Sequence, residues 1–546
     1  MSLKEELQSL VKGEVLNDEK TLKKYSRDAS LFEVKPRFVI FPKNAKDIQN
    51  LVLFVAKRKK EKLSLTARSA GTDMSGGPLA ESIILDFTKY FNKIKKIGKD
   101  YAVVQPGMYY RDFEKQTLRH NLMLPSYPAS REICAIGGMV GNNGGGEDSL
   151  AYGKTENFVQ ELKVILQDGK VYTLKALTKA ELRKKIVLKT WEGKMYRDIY
   201  NVVKNNSKLL QEAKPKVSKN SAGYYLWNIW DGETFDLTKL FTGSQGTLGI
   251  ITEVKFRLVK PKKHATLLVI FLKDLKFLPV IISRVLEKKP ESFESYDDNT
   301  LKLALRFFPD FVKLLKTNII SLGWQFLPEF GMLLRGGMPK LVMYAEFNSD
   351  DAEEASAHAR EAQESLKDLR LNTHITKSDK EVQKYFTIRR QSFALLRQHM
   401  KGKRTAPFID DFVIRPEYLP EFFPKIWRIL DPYKKYMRYT IAGHVGDGNF
   451  HIIPLMDMEN PESRKIIPVL MKKVHKLIFQ YKGTFTGEHN DGLIRSPYLK
   501  DMYGEEVYKL FVKTKKIFDP NTVFNPGKKV GADLQYSLEH MATTNE

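Results

Sequence analysis

Ile136-Gly-Gly-Met-Val-Gly-Asn-Asn-Gly-Gly-Gly146 places six glycines in eleven residues of a 546-residue chain that holds 34 in all. Backbone that free costs conformational entropy on folding. The tract therefore needs a compensating role, either tight packing or close approach of a flat ligand to main chain with no Cβ in the way. Two more glycine elements flank it in sequence. Arg68-Ser-Ala-Gly71-Thr72-Asp-Met-Ser-Gly76-Gly77 directly follows a predicted strand. Gly243-Ser-Gln-Gly246-Thr-Leu-Gly249-Ile-Ile-Thr-Glu-Val sets glycine at the mouth of another. The first loop lacks the Gly-Lys-Ser/Thr of a phosphate-binding P-loop, and it does not open a helix as Gly-x-Gly-x-x-Gly does, so both of those nucleotide-binding readings fail.

Outward from these elements, strands and helices alternate. Phe38-Val-Ile-Phe41 reads as a strand ended by Pro42, and Ala45 to Lys62 carries helical periodicity at Ile48, Leu51, Val52 and Val55. Leu63-Ser-Leu-Thr-Ala67 returns as a strand, with Ile83-Ile-Leu-Asp86 and Tyr101-Ala-Val-Val104 as further ones. Gln167-Asp-Gly-Lys170 marks a hairpin. Composition changes near residue 262, where Ala265-Thr-Leu-Leu-Val-Ile-Phe271 opens a region of strands and long helices (Asp350 to Arg370, Pro461 to Tyr481). The expected fold class is α+β.

Three glycine elements in this order and spacing closely resemble the flavin-binding half of the vanillyl-alcohol oxidase / p-cresol methylhydroxylase enzymes. That resemblance implies a PCMH-type FAD-binding domain of two α/β subdomains, followed by an α+β substrate (cap) domain with an antiparallel sheet. The expected division is a helical lead at 1–33, the FAD-binding domain at 34–262, the cap domain at 263–485 and a C-terminal segment at 486–546 that returns to the first half. By the same likeness, Arg68, Ser69, Ala70, Gly71, Thr72, Gly76 and Gly77 wrap the FAD pyrophosphate. Ile136, Gly137, Gly138, Asn142, Asn143, Gly145, Gly146 and Tyr152 line its ring and adenosine, and Gly243, Gly246, Gly249, Ile250, Ile251 and Asn525 complete the pocket. Thr72 stands where covalent members carry a histidine, so the FAD is expected to be held non-covalently. Cys134 reads as a small buried thiol.

Three histidines cluster late, in Gly443-His444-Val-Gly-Asp-Gly-Asn-Phe-His451 and Gly487-Glu488-His489. Seven residues apart, His444 and His451 would fall on opposite faces of one straight strand. A turn at Gly446-Asp447-Gly448 instead folds the segment into a hairpin and brings both imidazoles to one edge. With Glu488 they make a three-ligand set that leaves a divalent metal open to substrate; the spacing equally allows histidines hydrogen-bonded beside a glycine-rich turn. His-x-Gly-Asp-Gly-Asn-x-His and Gly-Glu-His resemble the D-2-hydroxy-acid dehydrogenases, the glycolate oxidase D-subunit / D-lactate / D-2-hydroxyglutarate branch of the same superfamily. The resemblance implies His444, His451 and Glu488 as metal ligands, for zinc or manganese, and His489 as catalytic base. Tyr385-Phe-Thr-Ile-Arg389-Arg390 retains an arginine for the substrate carboxylate, with Arg390 as substitute. Phe393 and Ile409 stand near the places where some hydroxyglutarate enzymes have Thr and Lys, which leaves the acid's side chain open.

The implied reaction removes the hydroxyl proton of a small 2-hydroxy acid and passes the Cα hydride to flavin N5. The lone Cys134 means that the chain holds no iron–sulfur cluster of its own, so a quinone or a separate electron-transfer protein is the expected acceptor. A net charge of +25 invites a polyanionic partner, but no basic-aromatic module for nucleic acid is present. Within an insert at 300–340, Lys302, Arg306, Lys313 and Lys316 share one side of a helical wheel, which suits either docking on anionic lipid or a lid over the substrate. The charged N-terminus lacks an apolar targeting core. The expected location is the cytoplasm, with peripheral association at the cytoplasmic face of the inner membrane as the form that docking would take. The rivals are a metal-free flavin oxidase of an alcohol or sugar, and a membrane-associated subunit that has kept the fold without the activity.

Overall fold

A computed structural model describes residues 1–306, 337–399 and 402–545. The first sheet has the order β1 (Glu14–Leu16), β2 (Phe38–Phe41), β4 (Ile83–Asp86), β3 (Leu65–Arg68). β2 and β3 both run parallel to β4, and β1 caps the edge antiparallel. β2 and β4 are buried at every position, as strands covered on both faces must be. The crossover helix Ala45–Lys57 is capped by the Asn44 side chain, which accepts from Asp47 N, and it buries Ile48, Leu51, Val52 and Val55. It stops five residues before the periodicity suggested. From Lys57 to Lys62 no side chain is apolar, so the buried face ends at Val55, and Lys62 closes a short 3₁₀ turn at φ +51°.

The second sheet is antiparallel, in the order β5 (Ile94–Ile97), β6 (Tyr101–Val104), β10 (Ile250–Arg257), β7 (Val159–Ile165), β8 (Val171–Thr178), β9 (Thr234–Asp236). The β7–β8 hairpin turns at Gln167-Asp-Gly169, where Gly169 takes φ +72°. The third sheet is also antiparallel and runs β14 (Asn372–Ile375), β11 (His264–Leu272), β13 (Leu341–Ser349), β12 (Ser292–Asp297), β17 (Met437–His444), β18 (Asn449–Met456), β15 (Arg404–Thr405), with β16 (Phe412–Val413) also on β18.

One apolar core runs without a break from the second sheet into one face of the third. On the other face, Leu267, Val269 and Tyr344 pack on Val382, Tyr385 and Phe386 of the helix Asp379–His399. The chain then comes back to the first sheet. Phe524 bridges Leu65, and Val523 and Phe524 join that sheet's core. Among the described residues no helix is long and apolar enough to cross a membrane. Arg306 ends the described part of the basic amphipathic stretch; residues 307–336 lie outside the described residues.

Candidate active site

All three glycine elements meet at one cavity. Arg68, Ser69, Ala70, Gly71, Thr72 and Gly77 line it from the first loop, and Gly137, Gly138, Asn142 and Gly145 from the central tract. Gly246, Gly249 and Ile251 contribute from the third element. Most of the central tract is helical, Ile136–Asn142, where glycine propensity alone predicts an open loop. Packing explains the difference: a Cβ on Gly137 would lie 2.5 Å from Ser69 Oγ and 2.8 Å from Pro106 Cβ, so glycine is what lets the helix seat against the first loop. Gly138 and Gly141 meet nothing within 4 Å and present bare backbone to the cavity. The first loop is held by Asp73, whose Oδ2 accepts from Ser75 N, Ser75 Oγ and Gly77 N, and whose Oδ1 accepts from Asn142 Nδ2. A preformed trough floored by two glycines with open space above them fits a planar ring system such as FAD.

The other residues expected at the cofactor stand one layer behind. Ile136 and Ile250 are core. Gly76 and Gly243 turn at φ +81° and +88°. Asn143 ends the helix at φ +51° and accepts from Glu156 N, and Gly146 abuts Tyr127 O. Tyr152 closes the short helix Ser149–Tyr152. Asn525 donates to Gly77 O and Gln245 O, tying the first and third elements together from behind. Cys134 lies in the cavity wall, and burial pushes its thiol up to about 12.

At the far end the same cavity reaches Arg389, Arg390, His444, His451, Glu488 and His489. β17 and β18 form the hairpin, with Ala442 opposite His451 and His444 opposite Asn449, and Gly448 turns at φ +65°. Both Nε2 atoms come to the same oxygen: His444 lies 3.2 Å and His451 3.5 Å from Glu488 Oε1. Each ring's Nδ1 faces a buried carboxylate, Glu294 at 2.6 Å and Asp410 at 3.1 Å. Nδ1–H donation to carboxylate leaves Nε2 with a free lone pair, the arrangement that carboxylate–histidine–metal sites use. His489 stacks on His451 with ring centroids 4.9 Å apart and sets its own Nδ1 2.5 Å from Asp410 Oδ2.

Asp411 anchors the segment that carries Glu488. At φ +71°, its Oδ2 accepts from Glu488 N (2.9 Å), His489 N (2.7 Å) and Thr486 Oγ1 (2.6 Å), and its Oδ1 from Asn449 Nδ2 (3.0 Å). Asp411, His451, Glu488 and His489 bring one ligand atom each within 4.8 Å of one another. Because Asp411 already accepts four hydrogen bonds, His451, Glu488 and His489 are the freer members of that group; His444, expected as a ligand, is not among the four, although its Nε2 lies 3.2 Å from Glu488 Oε1.

Charge supports a cation here. Glu147, Glu294, Asp410, Asp411, Asp447 and Glu488 are all buried, and they outnumber Arg389, Arg390 and Lys219, the lysine and arginine side chains paired with them. His489 and His444 answer part of that surplus. Burial alone would lower His489, but Asp410 and Asp411 outweigh it and lift it to about 10. His444 is likewise raised by Glu294 against its burial. Burial would raise Glu488, yet His444 and Lys219 hold it well below the usual carboxylate range.

Arg389 and Arg390 do not stand open. Arg389 pairs with Glu294 at 2.6 Å and Glu147 at 3.3 Å, and Arg390 Nε donates to Glu147 Oε1 at 2.9 Å. Glu147, Glu294, Asp410, Asp411 and Lys219 escaped the sequence reading. Three had a signal: Glu147 directly follows the glycine run, and Asp410-Asp411 sits between Phe408-Ile409 and Phe412-Val413, where buried carboxylates need partners.

Comparison with known proteins finds two matched regions. Residues 36–175 match the FAD binding domain family and residues 261–529 the C-terminal domain of FAD linked oxidases. The D-2-hydroxyglutarate dehydrogenase of Pseudomonas putida is 26% identical over 527 residues, which cover 95% of this chain but 50% of that protein. The chain thus spans about half the length of that relative. The glycolate oxidase subunit GlcD of Bacillus subtilis is 26% identical over 525 residues, covering 94% and 93%. Substrate-bound p-cresol methylhydroxylase superposes with a TM-score of 0.68 at 18% identity, over 97% of this chain and 96% of that one. The glycine-floored trough thus lies in a chain that matches, in this order, the FAD binding domain and the C-terminal domain of FAD linked oxidases.

Proposed function

We propose that the protein oxidises a small D-2-hydroxy acid, of the D-lactate, D-2-hydroxyglutarate or glycolate class, to the 2-oxo acid. The convergence of His444 Nε2 and His451 Nε2 on Glu488 Oε1, in the wall of the flavin cavity, carries this reading. When bound, FAD takes the Cα hydride at N5 and a divalent metal, zinc or manganese, acidifies the hydroxyl. The protein's part is to hold and to move a proton. His489 Nε2 would take the hydroxyl proton once a bound cation has displaced the proton that Asp410 and Asp411 otherwise keep on the ring, while Asp410 fixes the ring through Nδ1. Loss of that proton and of the hydride together turns C–OH into C=O. Arg389, whose guanidinium lies beside His444 and Glu294, orients the substrate carboxylate by exchanging one of its internal partners. The electrons for which FAD would supply a place would leave to a quinone or a separate redox protein, and the basic stretch that starts at Leu301 would serve either as a lid over the substrate or to dock the protein on anionic lipid near such an acceptor.

The test is anaerobic mixing of the flavoprotein with D- and L-lactate, D- and L-2-hydroxyglutarate, and glycolate, followed at the flavin's visible absorbance. The expected result is bleaching by a D-acid or glycolate that a chelator abolishes and added zinc or manganese restores. Full bleaching after chelation, or bleaching only by alcohols that lack a carboxylate, would overturn the proposal.

A further inference from the structure

A lysine that belongs to neither the cavity lining nor the histidine cluster lies against the third ligand. Lys219 is 2% exposed, and its ammonium stands 3.0 Å from Asp447 Oδ2 and 3.5 Å from Glu488 Oε2. It comes from the FAD-binding half, whereas Asp447 and Glu488 belong to the later part of the chain. The backbone around it is fastened at both ends. Ser218 Oγ donates to Asp447 O at 2.7 Å, Ser221 N to Thr486 O at 2.9 Å and Ser221 Oγ to Gly487 O at 3.0 Å. Lys219 Nζ and Glu488 Oε2 make no hydrogen bond among the described residues, so ion pairing is what steadies them.

We propose that Lys219 is a positioning residue for Glu488. One ammonium holds two buried carboxylates that would otherwise repel each other, Asp447 and Glu488. It thereby keeps Oε2 turned away and Oε1 aimed at the two imidazole nitrogens. This assignment gives the FAD-binding half a direct hand in the ligand set: its loop sets the rotation of a carboxylate whose backbone is set by Asp411. Removing the cation leaves Asp447 and Glu488 facing each other in a site with a surplus of negative charge. Glu488 then turns away from the imidazole nitrogens, which costs a ligand. The inference rests on the metal reading above.

The experiment titrates zinc into flavin-loaded, chelator-stripped protein against a chromophoric competitor, with flavin content recorded alongside. Wild type is expected to bind one equivalent. Lys219→Met is expected to bind it at least about tenfold more weakly, the size typical for loss of an outer-sphere partner, with unchanged flavin content because Lys219 does not line the cavity. A smaller loss, or tighter binding, overturns the role of Lys219 and leaves the metal reading standing. No zinc binding by wild type overturns both. Should K219M fail to fold, Lys219→Gln, which fills the space with a polar but uncharged group and leaves both carboxylates in place, is titrated instead, and the same tenfold threshold decides.

Discussion

Replacing Asp411 by Asn tests how the ligand-bearing segment is held. An amide has one acceptor oxygen where the carboxylate has two, and Asp411 uses both. With the new NH₂ at the Oδ2 position, it faces the N–H groups of Glu488 and His489 and the Thr486 hydroxyl. With the NH₂ at Oδ1, it faces Asn449 Nδ2. Asn449 could answer by turning its amide over, since its Oδ1 has no hydrogen-bond partner among the described residues, but its Nδ2 would then forfeit the bond to Phe412 O. Either orientation loses at least one charge-assisted bond and leaves a buried donor unpaired, together about 2–4 kcal/mol. If that cost falls on local opening, amide exchange of the peptide spanning 484–493 should quicken roughly 30- to 1,000-fold, at 1.36 kcal/mol per tenfold. Hydrogen–deuterium exchange with mass analysis reads this directly, without needing metal or substrate. Unchanged protection of that peptide in D411N would show that the segment is held by its surroundings and not by this carboxylate.

Gly137→Ala, whose Cβ would collide with Ser69 Oγ and Pro106, should displace the first loop and lower both flavin content and apoprotein melting temperature. Gly138→Ala should hold or raise the apoprotein melting temperature, since alanine is the better helix former, while lowering flavin content, because its methyl enters only the open trough; equal behaviour of the two variants would refute a planar ligand lying on Gly138. His475 is buried beside Phe479, Phe485 and Tyr498, and burial, helped by Arg495, pushes it down to about 3. The unfolded imidazole titrates near 6.5, so the neutral ring's contribution is complete above that pH. It is lost as pH falls from about 6.5 to 3, to a total of about 5 kcal/mol at most. His475→Phe should therefore flatten the fall of the urea midpoint between pH 6.5 and 4, and an unaltered slope would place the acid lability elsewhere.

Local chemistry was legible in the sequence wherever it was written in neighbouring residues. Gly446-Asp-Gly448 announces the turn that folds His444 toward His451, and the three glycine elements announce the trough they share. What escaped was set by distance along the chain. Ile136–Asn142 is helical against its own propensity, its seat on Pro106 and Ser69 leaves no room for a side chain at Gly137, and no local pattern encodes that neighbour. Arg389 reads as a free guanidinium until Glu147 and Glu294, from two other elements, are folded onto it. Lys219 has no signal at all, standing in a run of scattered lysines that reads as solvated surface.

Asn525 reaches across 448 positions to Gly77 and 280 to Gln245, and Phe524 bridges Leu65. The first sheet and the trough beside it therefore lack a wall until the ribosome has passed residue 525. Flavin capture in this sense waits for the segment around residue 525: a nascent chain halted earlier exposes Leu65 and its apolar neighbours, and offers the cofactor a trough that is open at the back.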